Sequence, residues 1–165
     1  MRGAPGRSQA VCLCSSIAFC ERPLDRWTSR PAPDAPEGLI LFDGVCLLCS
    51  RWVRYVIERD PDKRFRFLPI QSEKGRLFAE QMGISSGAPE TNAVILDGRA
   101  WFKSDAALMV LSHLPGTRGI GVLKVVPRWL RDPAYDLIAQ NRYRLFGRSD
   151  ACMTPSPAER SRFLA

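Results

Sequence analysis

The stretch Asp43-Gly44-Val45-Cys46-Leu47-Leu48-Cys49 constrains this chain more than any other. It stands where one hydrophobic period ends and another begins. Leu39 to Phe42 is a short apolar run closed by Asp43-Gly44, a turn signal, and so reads as a buried strand. From Cys46 the period changes. Cys49, Trp52, Val53, Val56 and Ile57 recur at helical spacing, with Arg51, Arg54 and Glu58 on other faces. Asp60-Pro61 stops that helix. Two cysteines therefore lie where a strand hands over to a helix.

The rest of the pattern sets the architecture around this junction. Phe65 and Phe67 alternate with Arg64 and Arg66, a second strand ending at Pro69. Leu77, Phe78 and Met82 mark a helix from near Ser72 to Gly83. Asn92 to Leu96 is a third strand, Asp97-Gly98 a hairpin turn, and Ala100 to Lys103 the returning fourth strand. Ser104 is placed to cap a helix that carries Leu108, Leu111 and Leu114 and ends at Pro115-Gly116. Gly116, Gly119 and Gly121 mark a loop. Asp132 then reads as the cap of a helix that begins at Pro133, carries Ile138, Arg142, Leu145 and Phe146 at helical spacing, and stops at Gly147. The first half of this order needs a parallel crossover and the second half is an antiparallel hairpin. The expected fold is α/β: one mixed sheet with flanking helices and a C-terminal helical extension.

The chain's 165 residues suit one domain. Residues 1–37 read as a flexible leader, because they hold five of the 13 prolines and no sustained period, and residues 38–165 read as the domain. Ala10 to Cys20, preceded by Arg2 and Arg7, has a faint likeness to a targeting segment. Ser15 and Ser16 interrupt it and Phe19-Cys20 is a poor cleavage site, so the expected location is cytoplasmic, with an organelle or export as the alternative. No window approaches the ~18 consecutive apolar residues of a membrane helix. The net charge of +7 sits mostly in residues 114–165, which carry nine basic and four acidic groups. That excess would suit an acidic partner, but a solvated helix face is the simpler reading.

The chemistry lies in the two cysteines. Cys46 falls at or just before the first helical turn, where unpaired backbone N–H groups favour a negative charge. A free thiol has a pKa near 8.5, and at a helix start in a Cys-x-x-Cys motif it can fall to about 7 or below. Cys46 is thus the candidate nucleophile. Cys49, three residues on, shares its face and is expected to be the deeper partner, the thiol that resolves a mixed disulfide. Asp43 is the third candidate catalytic residue. It could take the proton from Cys49, raise both thiol pKa values by repulsion, or simply hold an Asp-Gly turn, and the turn is the plainest of the three. Arg51 and Arg54 read as solvated.

The whole pattern resembles the DCC family of predicted thiol-disulfide oxidoreductases, within the thioredoxin-like superfamily. Asp43, Cys46 and Cys49 match its signature. Arg51, Phe67-Leu68-Pro69, Ser104-Asp105-Ala106, Asn141 to Arg144, Phe146-Gly147 and Cys152 match its later positions, from about Gly38 to Pro155. The resemblance implies a thioredoxin-like fold and protein-disulfide reductase activity. The partners would be a protein or small-molecule disulfide and a thiol electron donor. The redox-active Cys46–Cys49 pair would serve in place of a bound cofactor. Leu47-Leu48 replaces the Gly-Pro of thioredoxin. Pro89, the proline nearest the third strand, is separated from Ala93 by three residues and takes no assigned role.

Other features invite bland readings. Cys152 is a third thiol or a bystander, Asn141 to Arg144 an anion contact or a packed helix, and Trp52 and Trp129 core residues. One rival reading is a structural zinc module in which Cys152 and His113 complete a site with Cys46 and Cys49. The other is a basic protein that binds anionic partners. No nucleic-acid motif accompanies that charge, so nucleic acid is not an expected partner.

Overall fold

In the computed structural model, residues 26–164 are described. The chain forms β1 (Arg30–Pro31), β2 (Leu39–Phe42), α1 (Leu47–Arg59), β3 (Arg66–Pro69), α2 (Glu73–Gln81), β4 (Ala93–Leu96), β5 (Arg99–Phe102), α3 (Lys103–His113) and α4 (Arg128–Phe146). A 3-10 helix, Arg118–Val125, joins α3 to α4, and a short one, Arg160–Arg162, follows α4.

β2 is apolar at every position and buried at every position, which requires cover on both faces of the sheet. It lies parallel to β3 and antiparallel to β4 in the order β1-β5-β4-β2-β3. Its alternate residues feed two cores. Ile40 and Phe42 pack with Val53 and Val56 of α1 and Ala106, Met109 and Val110 of α3. Leu39 and Leu41 face the other way, toward Ala79 of α2, Phe102 and Trp27. A mixed sheet with α1 and α3 on one face and α2 on the other is the expected thioredoxin-like architecture. The Asp97-Gly98 turn has both residues at positive φ, +55° and +65°, as a two-residue hairpin demands. Ser72 caps α2 through its hydroxyl, which accepts from Gly75 N at 3.0 Å.

Four boundaries differ from the sequence reading. The fold includes the end of the expected leader: Arg30 and Pro31 pair antiparallel with Ala100 and Arg99, and Trp27 packs on Phe102 with ring centres 5.4 Å apart. Pro31 is tolerated because β1 is an edge strand. Residues 1–25, with Cys12, Cys14 and Cys20, lie outside the described residues. α3 starts at Lys103, so Ser104 sits inside its first turn, where its hydroxyl accepts from Arg131 Nη1 at 2.6 Å and donates to Asp132. The glycine-marked loop winds into the 3-10 helix Arg118–Val125. α4 starts at Arg128, one turn early, because the Asp132 carboxylate is engaged by Ser104 and Arg128 and does not cap.

α4 is also turned over. Its charged residues point inward, where Arg131 and Arg128 reach Asp105 at 2.6 and 3.0 Å and Asp136 reaches Lys103 at 2.8 Å. Its apolar residues Trp129, Leu130, Leu137, Ile138 and Leu145 are exposed. Trp129 is therefore not a core residue. No helix among the described residues is long and apolar enough to cross a membrane.

Gly75 marks the tightest approach of α2 to the sheet, since an added Cβ would stand 1.9 Å from the carbonyl oxygen of Pro69. Gly75→Ala should destabilise the protein by about 1–3 kcal/mol, the usual cost of overpacking. Thermal denaturation reads this as a lowered Tm.

Candidate active site

Cys46 is the N-cap of α1, with extended backbone (φ −82°, ψ 120°). Its sulfur accepts from Cys49 N–H at 3.4 Å, so it fills the capping role usually taken by a hydroxyl or carboxylate oxygen. Capping by a thiolate is stronger than by a thiol, and the ionised form is favoured accordingly. The Cys46 pKa is drawn down to about 6. The side-chain hydrogen bond from the Cys49 thiol is the largest cause; burial opposes it, and the Cys49 N–H and the Arg142 charge assist. Cys49 is pushed the other way, first because its thiol is donated to Cys46 and then by burial. Both thiols are free. The pair thus carries one negative charge, on Cys46, and one proton, on Cys49.

Both cysteines are buried, Cys46 at 0% exposure and Cys49 at 6%. Part of the cover comes from the chain that follows α4. Gly147 O accepts from Leu47 N at 3.3 Å, Ser149 N donates to Val45 O at 2.8 Å, and Met153 N donates to Gly44 O at 2.9 Å. This segment covers the outer side of Cys46, leaving Cys49 to border the space beneath. The fit is close at Gly44, where an added Cβ would stand 2.3 Å from the Cys152 sulfur. Cys152 is therefore a neighbour of the motif loop, with its thiol pKa raised by burial.

Asp43 is 1% exposed and holds four donors. Oδ1 accepts from Val45 N at 3.2 Å and from Gln71 Nε2 at 2.8 Å. Oδ2 accepts from Arg142 Nη2 at 3.0 Å and from the Tyr143 hydroxyl. Gln71 also accepts from Gly44 N at 2.9 Å, so one side chain ties the turn at two points. The turn expected of Asp43-Gly44 is present, and the carboxylate also pairs with α4. The Asn141 to Arg144 motif resolves the same way: Arg142 is buried against Asp43. The negative charge of Asp43 raises both cysteine pKa values, and the positive charge of Arg142 lowers both. Burial is the largest influence on Arg142 and opposes its charge, but its hydrogen bonds and charge interactions with Asp43 and Tyr143 together outweigh it, and its pKa is raised.

Beneath the pair lies a cavity of about 350 Å³, bordered by Cys49, Trp52, Val94, Ala106, Ile138 and Arg142. Trp52, expected in the core, is half-buried at this wall. Pro89 is buried and also lines the cavity. Arg51 and Arg54 are exposed, as expected. His113 lies on α3 with Nδ1 2.7 Å from Met109 O. Among the described residues, no three His, Cys, Asp or Glu side chains gather as a metal site needs, so the zinc reading lacks its further ligands.

Gln71 and Tyr143 are the residues that sequence reasoning did not bring to the site. Gln71 follows β3, the second strand of the crossover, which lies parallel to β2, and that placement is the signal that could have found it. Tyr143 lay within a noted motif, but nothing in its spacing pointed to Asp43.

A family model described as DCC1-like thiol-disulfide oxidoreductase matches residues 40–148. The chain is 42% identical over 130 residues to the uncharacterized protein YuxK of Bacillus subtilis (strain 168), covering 78% of this chain and 95% of that one. It is 34% identical over 127 residues to the DCC family protein At1g52590, chloroplastic, of Arabidopsis thaliana, covering 76% and 74%. No solved structure matches.

Two predictions follow from the geometry. Thiolate ultraviolet absorbance should titrate with a midpoint near 6 and vanish in Cys46→Ser. In Cys49→Ala, which removes the largest cause of the shift, that midpoint should rise toward the ordinary thiol range. Arg142→Met should destabilise the fold by about 3–5 kcal/mol in urea denaturation, because it strands a buried carboxylate. Adding Asp43→Asn should restore part of the loss.

Proposed function

The chain belongs to the DCC1-like thiol-disulfide oxidoreductase family, and on that premise we propose that it reduces disulfides through Cys46 as nucleophile and Cys49 as resolving thiol. The observation that carries this reading is the asymmetric pair, a thiolate at the N-cap of α1 with a thiol donating to it. At pH 7 a thiol of pKa near 6 is about nine-tenths ionised, against a few per cent for a free cysteine.

The chemistry runs in two exchanges. The Cys46 thiolate attacks one sulfur of the substrate disulfide. A mixed disulfide forms, the substrate S–S bond breaks, and the departing sulfur leaves as a thiolate. In that state Cys46 bears no charge and no longer holds the Cys49 proton. The largest cause of the raised Cys49 pKa is gone, so the departing thiolate can take that proton. The Cys49 thiolate then attacks Cys46, forms the Cys46–Cys49 disulfide and expels the second substrate sulfur, which gains a proton from solvent. Two electrons pass from the dithiol to the substrate. A thiol donor returns the pair to its reduced state, and no bound cofactor is needed.

Asp43 acts in this scheme as a positioning residue. Four donors already occupy its carboxylate, which favours holding the motif loop on α4 over accepting the Cys49 proton. The proposed substrates are protein or small-molecule disulfides, and the proposed compartment is the cytosol.

Alkylation and mass spectrometry across defined glutathione ratios test the reading. A reversible Cys46–Cys49 bond is expected. Cys46→Ser should abolish turnover, whereas Cys49→Ser should accumulate mixed disulfides on Cys46. Full activity in Cys46→Ser would overturn the assignment of roles.

A further inference from the structure

We propose that the outer face of α4 docks the protein on an anionic lipid surface. The inference is separate from the disulfide chemistry and concerns where the protein works.

From Val122 to Ile138 the side chains sort by face. Arg128, Arg131, Asp132 and Asp136 turn toward α3, in ion pairs with Asp105, Lys103 and one another. The opposite face is apolar. Trp129, Leu130 and Leu137 are 70%, 56% and 66% exposed, and Pro133, Ala134 and Ile138 are exposed with them. These six positions recur at helical spacing and form one stripe along α4. The 3-10 helix that leads into α4 adds Val122, Leu123 and Val125, all exposed. Among the described residues from Val122 to Ile138, Lys124 is the one exposed charge. Folded chains rarely leave so continuous an apolar surface in water unless something else covers it. The inward charges bar α4 from crossing a bilayer, in keeping with the absence of any membrane-crossing helix among the described residues. A helix with one apolar face and one charged face lies in the plane of the interface instead.

The charges on the rim decide the occupant. Lys124 at one end and Arg144 and Arg148 at the other are exposed. Among the described residues none of the three meets a carboxylate. Lys124 Nζ lies 3.0 Å from the Met109 sulfur, and Arg148 stands 5.5 Å from the centre of the Tyr143 ring. The carboxylates of this span, Asp132 and Asp136, are the paired, inward ones. A second copy docked face to face would therefore set cations against cations with no carboxylate to offset them. An anionic bilayer supplies the missing countercharge along with an apolar layer for the leucines. Trp129 suits that boundary, because its ring is apolar and its indole N–H is polar. Ile138 belongs to both the stripe and the wall of the cavity at Cys49, so the docked face adjoins the redox pair.

The test sediments the full-length protein with vesicles of phosphatidylcholine alone and of phosphatidylcholine and phosphatidylglycerol in equal parts. The mixed vesicles should bind at least about tenfold more tightly, and added salt should weaken that binding. Leu130→Gln with Leu137→Gln should lower it by about tenfold at unchanged Tm, since both leucines are exposed in the free protein. Lys124→Gln and Arg144→Gln should each lower it by about fivefold. Trp129 is the one exposed tryptophan of the four, so fluorescence should shift to shorter wavelength on the mixed vesicles and fail to shift in Trp129→Phe.

Equal binding to both vesicles would overturn the anionic surface. Full binding by the doubly substituted leucine variant would overturn α4 as the docking face. A dimer in sedimentation equilibrium that the same two substitutions dissociate would give the face to a second copy. Absence of binding to either vesicle would end the proposal. None of these measurements depends on Cys46, so each outcome leaves the oxidoreductase reading where it stands.

Discussion

The pairing of Asp43 with Arg142 is the contact on which the rest of the site depends. It joins two residues 99 positions apart, one at the end of a central strand and one on the last long helix. Both are buried, and a buried ion pair holds only when its remaining donors and acceptors are met. Asp43 meets that condition with Gln71, Tyr143 and the backbone of Val45. The network fixes the loop before Cys46, and so fixes the direction in which α1 begins. Arg142 is the inward charge of α4 that meets this carboxylate, while Arg128, Arg131 and Asp136 turn inward to Asp105 and Lys103 of α3.

The same pair sets a balance of fields at the two sulfurs. Asp43 disfavours thiolate at both cysteines and Arg142 favours it at both, so the two charges offset each other. What separates the two thiols is instead local, the donation from Cys49 to Cys46. That arrangement makes the reactivity of each sulfur a function of the state of the other. A protein that needs a nucleophile first and a resolver second obtains the sequence of events from one hydrogen bond.

Much of the fold was legible because its signals are local. The change of period at Cys46, the Asp97-Gly98 turn and the all-apolar β2 each depend on a few adjacent residues, and together they dictate the mixed sheet. The misreadings have long-range causes. Proline-rich residues 30 and 31 show no strand pattern, yet β5 offers them an unpaired edge. α4 was legible as a helix, but its helical apolar residues Ile138 and Leu145 implied a buried face, whereas Arg142 holds it. Hydrophobic spacing orients a helix only when its partner is apolar. The cover over the motif was illegible for a similar reason, since residues 147–153 reach it from more than ninety positions away and carry no sign of that contact.

That cover has a consequence for the making of the protein. Cys46 and Cys49 leave the ribosome long before Arg142, Tyr143 and the segment from Gly147 to Met153. Until those residues emerge, the motif loop lacks both its countercharge and its shield, while the strands and helices that surround it can already form. A nascent chain is therefore a dithiol open to whatever oxidant surrounds it. Its enclosure is a late event of synthesis, when the chain's own last helix arrives to take hold of Asp43.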